Sequence, residues 1–80
     1  MSSTLTTLRE LISEQLFPLP ASFGDESDLY LEGLDSMALM QLILLLEESF
    51  GIRLEPADLG RENFQSLRAI EDLIRKKQTL

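Results

Sequence analysis

The sequence predicts a single all-α domain: a four-helix bundle of three main helices and one short one, with a long loop between the first and second. Three observations carry this reading. The chain has 80 residues, enough for one core and near the lower limit for folding without disulfides. Apolar residues recur at three- and four-residue steps in three stretches, and no segment alternates long enough to make a useful strand. Pro18, Pro20, Gly51, Pro56 and Gly60 fall between those stretches, where breaks belong.

Leu5, Leu8, Ile12 and Leu16, with Leu11 beside Ile12, form one helical stripe, and Ser2, Ser3 and Thr4 are candidate caps before it. Pro18 and Pro20 end that helix. From Phe17 to Asp35 no period is sustained, and a loop of this length in so small a domain points to function or motion. Phe23, Leu29, Tyr30, Leu31 and Leu34 are expected to pin it to the core. A second helix runs from Asp35-Ser36 to Phe50, with Gly51 as its C-terminal cap. Glu55 to Leu59 is expected to form the short helix, with Pro56 at its first position and Gly60 closing it. The last helix starts near Ser66 and buries Leu67, Ile70, Leu73 and Ile74. Its final turn holds Arg75, Lys76 and Lys77, where cations complement the negative end of the helix dipole.

Composition excludes much chemistry. Cysteine and histidine are both absent, which removes disulfides, thiolate nucleophiles, the usual general base and the commonest metal ligands. The 14 acidic and 7 basic residues give a net charge of −7. Such a surface repels nucleic acid and anionic lipid, and favours partners with basic rims. The first residues lack a basic n-region and a long apolar run, and Leu42–Leu46 is too short to span a bilayer. The expectation is a cytoplasmic, monomeric, free-standing module with no membrane partner.

The second helix has two apolar faces. At 100° per residue, Leu39, Leu42, Ile43, Leu46 and Phe50 share an arc of roughly 100°. Met37, Met40 and Leu44 fall in a separate arc, centred about 130° away. Gln41, Glu47 and Glu48 surround it. The ordinary reading of each extra apolar residue is core filling. Together they read as a partner-docking surface, because a three-helix domain of this size cannot easily bury both faces of one helix. Methionine suits a surface that several partners use in turn, and the acidic rim suits basic partners.

On local chemistry alone, Ser36 after Asp35 at a helix start is an ordinary cap. The long acidic loop before it, the turn that Gly33 permits and the second apolar face after it favour more than that. A helix N-terminus also suits a phosphodiester, since free N–H groups and the dipole favour an anion there.

At this point the chain resembles the acyl carrier protein and peptidyl carrier protein family. The resemblance covers nearly the whole chain. Its most specific parts are Asp28-Leu29, then Gly33-Leu34-Asp35-Ser36-Met37, then Leu42 through Leu46-Glu47-Glu48 to Phe50-Gly51-Ile52. Phe64 to Ile70, with Ser66 and Leu67, resembles the start of the family's last helix. The family's motif is Asp-Ser-Leu, and Met37 stands at its third place, apolar for apolar.

The resemblance implies an acyl-carrier-like bundle and a 4'-phosphopantetheine arm, moved from coenzyme A onto the Ser36 hydroxyl by a phosphopantetheinyl transferase, with Asp35 orienting the region for modification. It also implies an adenylating ligase or acyltransferase that loads the arm, and a downstream synthase or transferase that takes the cargo as a thioester. The chain is then a carrier and not an enzyme, with reactive sulfur from the cofactor and catalysts from its partners. The family's fatty-acid carriers are acidic in the turns after the serine. Here those places hold Met37, Ala38, Leu39, Met40 and Gln41, which points toward specialised, aminoacyl or peptidyl metabolism.

Two rivals follow from the same residues. One is an unmodified helical adaptor that binds partners through the second helix. The other is calcium binding by Asp25, Glu26, Asp28 and Glu32, whose spacing lacks the glycine and distal glutamate of an EF-hand loop; a solvated acidic loop fits them better.

Overall fold

The computed structural model describes residues 3–78. It contains α1 (Thr4–Gln15), α2 (Leu29–Glu32), α3 (Ser36–Phe50) and α4 (Leu67–Gln78), with 3₁₀ turns at Pro56–Asp58 and Arg61–Phe64 and no strand among the described residues.

Helix α1 starts where Ser3 Oγ accepts the Thr6 N–H at 3.1 Å. Of the other two candidate caps, Thr4 is already helical and Ser2 lies outside the described residues. The helix buries Leu8 and Ile12, with Leu5 and Leu16 packed at the core's edge. Helix α4 packs against α1 and buries Leu67, Ile70, Leu73 and Ile74. Its start is set by Ser66, whose Oγ accepts the Ala69 N–H at 3.1 Å. From α3, Leu42 and Leu46 complete the core, while Phe23, Leu29, Leu34, Ile52 and Phe64 close it from the connecting segments.

The long loop is tied down at several points. The Leu29 N–H donates to the Gln65 carbonyl at 2.8 Å, and the Arg68 N–H donates to the Asp25 carbonyl at 3.0 Å. Arg9 of α1 and Arg68 of α4 both reach the Asp25 carboxylate, at 3.3 and 3.9 Å. Arg68 also pairs with Glu26 at 3.2 Å. Asp25 and Glu26 are thus engaged by arginines and Asp28 caps α2, and no cluster of metal ligands occurs among the described residues.

Three expectations are corrected here. The loop contains a helical turn, α2, because Asp28 accepts the Tyr30 N–H at 2.9 Å and Leu29 anchors in the core. The helical turn expected over Glu55–Leu59 is present with Pro56 at its first position, but it is a 3₁₀ turn closed by Leu59 rather than Gly60, a second one follows it, and the short α-helix is α2. Leu31 does not pin the loop: it is 87% exposed, since two residues of helix turn it about 200° from Leu29. Phe23, Leu29 and Leu34 are buried as expected. Tyr30 is half-buried, with the Arg61 guanidinium 3.8 Å from its ring centroid.

Candidate functional site

Everything between α2 and α3 is a turn that delivers Asp35 and Ser36 to the surface. Gly33 caps α2 with φ 149° and ψ 4°, and its N–H and that of Leu34 both donate to the Leu29 carbonyl, at 3.1 and 3.0 Å. Glycine is required twice over. The positive φ disfavours any L side chain, and a Cβ there would stand 3.3 Å from the Phe17 ring. Leu34 then plunges into the core and Asp35 emerges.

Asp35, not Ser36, caps α3. It has extended backbone angles, its Oδ1 accepts the Ala38 N–H at 2.9 Å, and its carbonyl accepts the Leu39 N–H at 2.8 Å. Its other carboxylate oxygen takes no hydrogen bond among the described residues. Ser36 is therefore the first residue of the helix. Its side chain is exposed and makes no hydrogen bond among the described residues. The cap reading of Ser36 does not hold, because the residue before it already does that work.

These residues fit a phosphodiester on Ser36. The hydroxyl is accessible and unspent, and the Ser36 and Met37 N–H groups sit in the first turn, where no intrahelical carbonyl reaches them. After Asp35 no acid occurs until Glu47, so α3 itself opposes an anion there only through its cap.

Along α3 from Ser36, Met37 is 77%, Met40 65% and Leu44 64% exposed, whereas Leu39, Ile43 and Phe50 pack on the core. The helix keeps two apolar faces and buries one. Gln41 and Glu48 are exposed beside the open face. Glu47 differs: it is half-buried, and its Oε2 accepts the Leu54 N–H at 2.9 Å. It braces the segment after Gly51 against α3. Leu31, on the turn leading to the site, adds an exposed apolar side chain that sequence reasoning had assigned to the core. The available signal was its position two residues after a core leucine in a helical turn.

Residues 6–74 match the phosphopantetheine attachment site family. The chain is 43% identical over 72 residues to the aminoacyl carrier protein of Agrobacterium fabrum, covering 86% of each. Among solved structures, it resembles a chain in the crystal structure of engineered Bradyrhizobium japonicum glycine:[carrier protein] ligase complexed with carrier protein from Agrobacterium tumefaciens and AMP. That match has a TM-score of 0.78 and 40% identity, over 89% of this chain and 97% of that one. The corresponding complex with ATP gives 0.81 and 38%, over 92% and 99%.

Proposed function

The chain belongs to the phosphopantetheine attachment site family, and from that premise we propose that it is an aminoacyl carrier whose arm is attached through Ser36. The observation that carries the site is the unspent, exposed hydroxyl of Ser36 at the first position of α3, with Asp35 already serving as the cap. When attached, the arm supplies a terminal thiol on which acyl or aminoacyl groups travel as thioesters.

The chain's own residues hold and present that arm. Gly33 and Leu34 fix the turn, and Asp35 holds the first turn of α3 while keeping one carboxylate oxygen for the modifying enzyme. Met37, Met40 and Leu44 give partners an apolar landing strip, edged by Gln41 and Glu48. The partners are a phosphopantetheinyl transferase, an adenylating ligase that loads an amino acid, and an acceptor enzyme. Glycine is the cargo to test first, given the ligase in the similar complexes. Chemistry is left to those partners, since this chain offers no thiol or imidazole. No helix among the described residues is long and apolar enough to cross a membrane.

Co-expression with a broad-specificity transferase tests the attachment. The protein gains about 340 Da, the mass of the arm by its formula, and Ser36→Ala gains nothing. A folded, intact protein that stays unmodified returns the adaptor reading.

A further inference from the structure

Two thioether side chains stand at the start of the open face of α3, next to Ser36. Met37 is 77% and Met40 65% exposed, and three residues of helix set them about 60° apart around the axis and roughly 4.5 Å along it. We propose that this methionine pair is an oxidation site, at which hydrogen peroxide converts both thioethers to sulfoxides and so turns the docking strip polar; the functional consequence rests on the carrier reading above.

Composition and burial single the pair out. The chain has no cysteine, tryptophan or histidine, so methionine is the most readily oxidised side chain it owns. Of its three methionines, Met1 lies outside the described residues. The buried apolar core is built from leucine, isoleucine and phenylalanine, so oxygen added at Met37 and Met40 changes the surface and leaves that packing alone. Hydrogen peroxide is uncharged, and a net charge of −7 does not keep it away.

At each residue the sulfur lone pair attacks one peroxide oxygen. An S–O bond forms, the O–O bond breaks, and the other oxygen leaves as water with both protons. Sulfur is oxidised by two electrons and the peroxide is reduced by two. A polar, chiral group then stands where a flexible apolar contact stood. A partner that buries the strip has to desolvate two sulfoxide oxygens or leave them unpaired. Methionine sulfoxide reductases, one for each epimer, reverse the change.

The test oxidises the apo protein with hydrogen peroxide, removes the oxidant with catalase, and then times arm attachment by a phosphopantetheinyl transferase, so the arm's own thiol never meets peroxide. Tandem mass spectrometry finds one oxygen on each of Met37 and Met40, formed as fast as on free N-acetylmethionine, and the helical circular-dichroism spectrum is unchanged. Attachment slows about tenfold, the scale of losing one buried apolar contact, and recovers after both reductases act. Met37→Leu/Met40→Leu, which retains Met1, keeps its own untreated rate after peroxide. Oxidation that spares the pair, melts the helices or leaves wild-type attachment unchanged overturns the proposal, as does an equal slowing of the double variant. An untreated protein that accepts no arm sinks the carrier reading and the switch with it.

Discussion

Adjacent residues at the start of α3 could each have capped it, and only one does. Asp35 holds the helix end and Ser36 is left chemically free. Asp35→Ala should cost about 1 kcal/mol, the usual worth of an N-cap. Ser36→Ala should change stability by no more than about 0.5 kcal/mol, as an exposed substitution with no lost partner does. Chemical denaturation of both variants checks this, and a larger loss for Ser36→Ala would restore it as the cap. The sequence marked Ser36 through its whole-chain pattern, but local propensity could not say which of two capping residues would cap. That choice depends on where the chain leaves Leu34, a buried anchor fixed by the tertiary fold. Glu47 shows the same limit: its hydrogen bond to the Leu54 N–H joins residues seven apart across the Gly51 turn, which no local pattern signals.

Among the elements, α1, α3 and α4 were legible because each repeats its apolar stripe over several turns. Four residues of α2 and the two 3₁₀ turns complete too few turns to show a period, so only their caps and glycines betray them. The open face of α3 was legible by angle. Leu44→Glu should leave the helical circular-dichroism spectrum intact while slowing ligase loading about tenfold or more, the effect of losing one buried leucine contact. Loss of the spectrum would place Leu44 in the core. A second element-level link joins α4 to the first 3₁₀ turn, where Lys77 Nζ lies 2.7 Å from Asp58 Oδ2. The hydrogen bond from Lys77, helped by the Glu55 N–H, holds the Asp58 carboxyl below its usual range, and the same bond raises Lys77. The tether is therefore intact at neutral pH. It is lost as pH falls through the lowered Asp58 value, or rises through the raised Lys77 value. The melting-temperature gap between the protein and Asp58→Asn should be widest near neutrality and close toward acid, and a gap indifferent to pH would remove the tether from the account.

For the molecule as a whole, composition narrowed the function by subtraction. A chain with net charge −7 and neither cysteine nor histidine has no thiol or imidazole of its own to offer a thioester. Composition did not reveal which acids the fold would consume. Arg9 and Arg68 reach Asp25 and Glu26 across 16 and 42 residues of sequence, and Glu71, buried on α4, sits between Arg68 and Arg75 at 3.7 and 3.4 Å. The Asp25 and Glu26 pairs hold the long loop against α1 and α4 and no local spacing announces them, whereas the Glu71 pairs lie within α4 at the familiar three- and four-residue spacings. What remains on the surface is the strip from Met37 to Glu48, leading away from one free hydroxyl. On the proposed function, this hydroxyl carries the arm and the arm carries an amino acid. Intact-mass analysis after sequential treatment with transferase and coenzyme A, then with a glycine-activating carrier ligase, ATP and glycine, tests it directly. Successive gains of about 340 and about 57 Da are expected, both absent from Ser36→Ala. A first gain that persists in Ser36→Ala, or a folded wild-type protein that gains neither, would contradict it.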